Sequence, residues 1–459
     1  MRDRVASSNN GIHKPSNECK SRTSGRRQGW ASRQRSERWA LSSAWLVLVS
    51  ALLTGCHKDH KAGYTFETTP RAVLAQEGVA PSRSGRVGVD WVSSPTVRLL
   101  AVLGDGDNAR LGLLNSEDGG DTFDKPIWVS EAGKDVSSSG ESSEAFVSTP
   151  KELYAAWNQG DELRFARSIT WGSSFEKPIK ITDGPAKSFS GYPSLGVAPN
   201  GDLYAVWIDT RDQTDSEHNY AVYLARSTDH GATFGKNVRV AEKICPCCRP
   251  TLSFGSSGEV MVFWRHVYPG SIRDMTVAVS TDGGQTFSAP KKVAEDNWKL
   301  SGCPDSGAAT AHVGNRVYVA WLTEASPDKA GVRMTWTDDG GKSWAPAIMA
   351  SQQILDANYP WFSVTEDGRA LLVFQGRDPQ KQNGWSGTGV YLVEIAADGK
   401  ISEPLGVPGI ASSAKRPSVT AGMGGRVYIT WNGEKDGAHA VFLSRARRTG
   451  QQSNHGTEM

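Results

Sequence analysis

The chain has few cysteines, six in 459 residues, and two of these belong to an N-terminal sorting segment, so four are left for chemistry. It has a single long apolar run, Ala40 to Gly55. That run is too short and wrongly bounded for a stable membrane-spanning helix. Net charge is also scarce, at +2. Residues 1–55 hold ten Lys/Arg against three Asp/Glu, a net of +7, which leaves −5 for everything after them. The remaining chain is mildly acidic, and no basic field for nucleic acid is left. What is plentiful is glycine, with 49 copies against a modest 38% of apolar residues. This length and makeup fit two or three ordinary domains or one large β architecture.

Residues 1–38 are polar and Arg-rich, the apolar run follows, and small residues close it. These are the marks of a secretory signal over residues 1–55. The closing residues Leu53-Thr54-Gly55-Cys56 resemble a bacterial lipobox. The resemblance implies that Cys56 is lipidated and becomes the first residue of the mature chain. Residues 56–64 then read as a lipidated tether, and His57 in place of an aspartate implies the outer membrane. Arg26-Arg27 stand too far before the apolar run to signal twin-arginine export. The protein is therefore expected in the cell envelope, anchored by lipid and facing periplasm or surface, in a compartment where disulfides persist. Cys19 leaves with the signal, and Cys245, Cys247, Cys248 and Cys303 remain.

A repeat runs through the rest. Leu153-Tyr154-Ala155-Ala156-Trp157, Leu203-Tyr204-Ala205-Val206-Trp207, Val260-Met261-Val262-Phe263-Trp264, Val317-Tyr318-Val319-Ala320-Trp321 and Val427-Tyr428-Ile429-Thr430-Trp431 align, with weaker copies ending at Leu103 and Phe374. The spacings between these ends are 54, 50, 57, 57, 53 and 57 residues. Each segment is a short, β-prone apolar run, as a buried strand should be. A strand before it often begins after a proline, and two more strands follow it. Four strands at this period predict an all-β propeller. The count is seven blades, or six if the weak first copy is not a full blade. The last copy stops after its third strand, whereas Thr65–Val73 looks like a spare fourth strand. The N-terminal strand is expected to close the ring, within a single propeller over residues 65–448 and ahead of a disordered tail at 449–459.

The turn after the third strand carries a motif. Ser116-Glu117-Asp118-Gly119-Gly120-Asp121-Thr122-Phe123 recurs as the Asp229 and Asp282 copies, and conservatively around Asp339. These segments resemble the Asp box, Ser-x-Asp-x-Gly-x-Thr-Phe/Trp, of BNR-repeat proteins in the sialidase-like propeller superfamily. Ser and Asp hydrogen-bond the turn, and Gly permits positive φ. The resemblance implies that Asp118, Asp229, Asp282 and Asp339 are structural and that function sits on the opposite rim.

That rim holds the segments before the first and after the second strand of each repeat. The residues there are rich in arginine, tyrosine and carboxylate. Tyr192, Arg249, Arg265, His266, Tyr359, Arg377 and Arg416 are the expected ligand-binding set, and Asp209 and Asp305 are the candidates for general acid. The expected ligand is a glycan or another polar or anionic molecule, bound by a monomer. A sialidase would also need an arginine triad, an acid/base aspartate and a Tyr–Glu pair, and would open with Phe/Tyr-Arg-Ile-Pro. That tetrapeptide does not occur, and neither the triad nor the pair can be assigned. A binding module is therefore the first reading, with a glycoside hydrolase beside it.

The segment Ile244-Cys245-Pro246-Cys247-Cys248-Arg249-Pro250 lies one period from Cys303. The repeat turns this long separation into expected contact between the fourth and fifth blades. Three readings stay open. The first is a disulfide clamp, Cys245–Cys303 or Cys247–Cys303, with an adjacent Cys247–Cys248 ring for the leftover pair. The second is a site for copper or zinc, with His266 near the thiolates, which would make the chain a metal-handling protein. The third is a redox-active thiol. The fourth and fifth blades are expected to shape the ligand site.

Overall fold

The computed structural model describes residues 63–66, 69–73, 82–89, 96–104, 109–133, 136–137, 144–185, 188–214, 219–380, 387–410, 413–436 and 438–449. The signal segment, Cys56, most of the tether and nearly all of the C-terminal tail lie outside the described residues. No helix among the described residues is long and apolar enough to cross a membrane.

Seven antiparallel sheets make seven blades. Their first strands are Ser82–Val89, Ala145–Ser148, Ser190–Val197, Thr251–Phe254, Ala309–Val313, Leu355–Val364 and Lys415–Ala421. Each first strand touches the first strands of the blades on both sides, and the last touches the first, so the ring is closed. Residues on or beside the first strands of the second to seventh blades line an axial cavity of about 450 Å³.

The second strands are the apolar runs of the repeat, and they are buried at every position in several blades, as in Leu153–Gln159 and Leu203–Asp209. Successive side chains of a strand point to opposite faces. Here both faces meet another blade, so both must be apolar, which explains runs such as Val260–Trp264 that do not alternate. The core accordingly divides into seven clusters, one at each junction between neighbouring blades. Trp157, Trp207, Trp264 and Trp321 are fully buried at the ends of their runs.

The Asp boxes brace the opposite ends of the blades. In the first, Ser116 Oγ donates to Asp118 Oδ1 at 2.8 Å and accepts from the Gly120 N–H at 2.8 Å. The Thr122 N–H and hydroxyl donate to the two oxygens of Asp118 at 2.9 and 2.6 Å. In the copy that lacks the aspartate, Thr170 Oγ1 takes the same N–H, that of Ser174, at 3.1 Å. The box glycine must be glycine twice over. Gly231 has φ 80°, and a Cβ there would lie 2.8 Å from the Phe165 ring of the preceding blade.

The N-terminal segment closes the seventh blade, in two pieces rather than one. Tyr64–Phe66 pairs with Ala446–Arg448, and Arg71–Val73 pairs with Val441–Leu443, both on the third strand of that blade. The exposed edge that would template other chains is thereby covered.

Candidate functional site

The rim opposite the boxes owes its shape to a repeated irregularity. Tyr192, Asp305, Tyr359 and Arg416 have φ of 58, 48, 52 and 51°. Three of them directly precede a proline, and the fourth follows one. A left-handed backbone is unfavourable for any side chain with a Cβ and more so before proline. Strand register also shifts at three of these places, Gly191/Ser194, Asn358/Trp361 and Lys415/Ser418. Such a bulge re-aims the side chain it carries.

The re-aimed residues of blades five, six and seven meet. The Tyr359 hydroxyl donates to Asp305 Oδ2 at 3.4 Å. Arg416 Nη2 lies 4.0 Å from the same oxygen, and its guanidinium sits 5.6 Å from the centre of the Tyr359 ring. The Arg416 N–H donates to Gln375 Oε1 at 2.8 Å, which holds the bulge. All three residues are half-buried. Nearby in sequence, Trp361 lines the axial cavity with Arg249, whose guanidinium is 5.0 Å from the indole. Trp361 is absent from the sequence-derived set. Its only signal is its place directly after Tyr359-Pro360, in the first strand of a blade.

The other expected rim residues are placed elsewhere. Tyr192 donates its N–H to Asn158 Oδ1 at 3.1 Å and has its ring against Phe189. Arg377 is paired with Asp356. Arg265 is only 1% exposed and acts as a strut between blades four and five, donating to Arg273 O at 3.1 Å, Ser306 O at 3.2 Å and Leu322 O at 2.8 Å. His266 faces the other way, as strand alternation requires. It accepts from Trp264 Nε1 at 3.3 Å and packs on Tyr268. Burial and Lys243 hold its pKa below the usual value, against Glu242.

Asp209 is fully buried. Its Oδ1 accepts from Arg211 N at 2.8 Å and Arg211 Nε at 3.0 Å. Its Oδ2 accepts from Trp207 Nε1 at 2.8 Å, Arg211 Nη2 at 2.8 Å and Ser190 Oγ at 2.9 Å. These donors fill a carboxylate's acceptor capacity of about four lone-pair sites. Burial pushes its pKa up, but the bonds from Arg211 and Trp207 outweigh this and hold it below the ordinary range. Asp305 differs in being half-exposed beside a hydroxyl and a guanidinium.

The cysteines gather between blades four and five. Cys247 and Cys303 are bonded, while Cys245 and Cys248 are free and buried. Cys245 Sγ lies 3.8 Å from Cys247 Sγ, 3.9 Å from Cys303 Sγ and 3.4 Å from Cys248 Sγ, which donates to it. Arg273 Nη1 donates to Cys245 Sγ at 3.0 Å. The bond from Cys248, with Arg273 and Arg265 nearby, draws the Cys245 thiol down to about 6 despite burial, while burial pushes the Cys248 thiol up. Among the described residues, the metal-ligand atoms that cluster are those of Cys245, Cys247 and Cys303, without His266. Two of those sulfurs are bonded to each other, and ligation needs thiolates.

No curated protein matches the chain. Residues 211–372 match the BNR repeat-like domain. A protein of unknown function from Dyadobacter fermentans is similar in structure, with a TM-score of 0.52 at 14% identity over 84% of this chain and 99% of that one. A Trypanosoma rangeli sialidase in complex with the inhibitor DANA is more distant, with a TM-score of 0.46 at 13% identity over 85% of this chain and 60% of that one. A Hadza microbial sialidase stands at 0.46 and 14%, over 82% of this chain and 68% of that one. At such identities the likeness concerns the fold and not the chemistry. With seven closed blades and the boxes in register, the chain is a seven-bladed β-propeller, of which residues 211–372 match the BNR repeat-like domain.

Proposed function

We propose that the rim opposite the Asp boxes binds a carboxylated or polyhydroxylated ligand, a glycan in the first instance, and that the protein is a monomeric binding module held in the cell envelope by lipid on Cys56. The observation that carries this is the convergence of Asp305, Tyr359 and Arg416 from three successive blades. Arginine offers a planar fork of donors to a carboxylate. Tyr359 and Trp361 offer ring faces, and Asp305 accepts hydroxyl protons. Residues held in sparsely populated backbone regions gather at ligand sites, where the strain is offset elsewhere.

A glycoside hydrolase is the second reading, favoured by the hydrogen bond between the Tyr359 hydroxyl and Asp305. Of the two aspartates, Asp305 suits acid or base work, because a carboxyl filled with donors and held ionised cannot give up a proton.

The test is a glycan array run beside a panel of fluorogenic glycosides, on wild type, Asp305→Asn and Arg416→Ala. Binding without turnover that both variants lose supports the module. Turnover lost with Asp305→Asn makes the protein a hydrolase. Neither binding nor turnover on any glycan sinks both readings. Incorporation of an alkyne fatty acid, lost in Cys56→Ala, tests the anchor.

A further inference from the structure

The four cysteines form a second chemical centre, independent of the rim reading. We propose that they are a dithiol–disulfide exchange site, in which the bond migrates from Cys247–Cys303 to Cys245–Cys248 and two electrons pass from the buried pair to the Cys247–Cys303 pair, whose Cys303 meets solvent.

The geometry supplies each partner. Cys245 Sγ has both bonded sulfurs within 3.9 Å. The Arg273 guanidinium and the Cys248 S–H both donate to that sulfur, as a thiolate would require. Cys303 is exposed and Cys248 buried, so one end of the relay meets solvent and the other does not. A bond serving only as a clamp between blades needs no stabilised thiolate against it.

In the first step the Cys245 thiolate attacks Cys247 Sγ. A Cys245–Cys247 bond forms, the Cys247–Cys303 bond breaks, and Cys303 leaves as a thiolate into solvent. In the second step Cys248 gives up its proton and attacks Cys245 Sγ. The Cys245–Cys248 bond forms, and Cys247 departs with the electron pair and takes up a proton. Cys245 and Cys248 are oxidised by two electrons, and Cys247 and Cys303 are reduced by two. The reduced pair then serves an external disulfide that reaches the surface. Cys303 attacks it and releases one thiol, then Cys247 resolves the mixed disulfide and releases the second, which restores the starting bond. Thiol–disulfide exchange runs through such mixed disulfides.

The oxidised full-length protein is treated with N-ethylmaleimide without added thiol. Trypsin then cuts at Lys243 and Lys299, which places Cys303 on a different peptide from the other three cysteines. Wild type is expected to carry label on Cys303. Cys245→Ser is expected to lose that label, because the bond is locked. Cys248→Ser is expected to keep it, with the bond halted at Cys245–Cys247, and it serves if Cys245→Ser does not fold. Glutathione disulfide is expected to release glutathione from wild type and none from Cys245→Ser. Label confined to Cys245 and Cys248 in wild type overturns the proposal, as does a blocked Cys303 in Cys248→Ser. Stoichiometric zinc or copper protecting all four sulfurs overturns it in favour of a metal site.

Discussion

Replacing Asp209 with alanine should damage the fold and not the ligand site. The substitution removes the acceptor of five hydrogen bonds at a position with no exposure. Trp207 Nε1 and Ser190 Oγ, both buried, lose their partner, and Arg211 loses three of its bonds. Removing one member of a buried ion pair costs about 3–5 kcal/mol, mainly through the charge and donors left behind. Arg211 keeps Asp183 and Asn237 as partners, so about 3 kcal/mol is the better figure within that range. Asp305→Ala is the control. Its contacts with Tyr359 and Arg416 are long, at 3.4 and 4.0 Å, and its side chain is 36% exposed, so the loss of these two should stay under about 1 kcal/mol. Urea unfolding followed by tryptophan fluorescence measures both. Ligand binding should fall in the reverse order, with Asp305→Ala severe and Asp209→Ala mild at temperatures where it is folded. An Asp209→Ala protein as stable as wild type but unable to bind or turn over ligand would refute the reasoning and make Asp209 the acting carboxylate.

Other consequences are open to measurement. Gly231→Ala should lower stability by about 1–2 kcal/mol from its left-handed backbone alone, and by more once the Cβ meets Phe165; an unchanged melting temperature would contradict this. Bonds from Thr233 and Ser227 hold the Asp229 carboxyl down at about 2. Its stabilising contribution is therefore complete above the unfolded value near 4 and is lost as pH falls through 2, so Asp229→Asn should be less stable than wild type at neutral pH and equal to it below 2. Val73→Asp, on the closing strand, should open the seventh blade and promote self-association, seen by light scattering. Alkylation of Cys245 should slow as pH falls below about 6, with Cys248, Arg273, Arg265 and the Cys247–Cys303 bond all facing that sulfur.

What the sequence disclosed was what repeats or is local. The buried runs ending in Trp157, Trp207, Trp264 and Trp321 were legible because each blade buries both faces of its second strand. The boxes were legible because Ser, Asp, Gly and Thr bond within one turn. Partnership on the rim was not, because it depends on how bulges turn side chains toward one another. Asp305 reads with the cysteines of blades four and five, yet it meets Tyr359 and Arg416 of blades six and seven. Arg265 reads as a ligand arm but lies on the strand face opposite His266, pressed into the next blade; its place directly after buried Trp264 was the available clue. The proximity of Cys303 to the Cys245–Cys248 segment followed from the period, but which pair is bonded depends on side-chain positions that no period encodes.

The strained residues bear on why the rim is a site at all. Tyr192, Asp305, Tyr359 and Arg416 occupy comparable places in four blades, each in the left-handed region. Each conformation costs about 1–2 kcal/mol that glycine would largely avoid. Four such costs in a fold that uses glycine freely elsewhere point to side chains that matter. Within the fold, their contacts include a 3.4 Å hydroxyl bond, a 4.0 Å ion pair, a guanidinium over the Tyr359 ring and backbone bonds to Asn158 and Gln375. Residues held in sparsely populated backbone regions gather at ligand sites, and glycine at these positions separates strain kept for a ligand from strain kept by the fold. Replacing all four with glycine should then raise or preserve stability while abolishing binding. A loss of several kcal/mol would instead make them structural, and the rim a hydrated channel mouth.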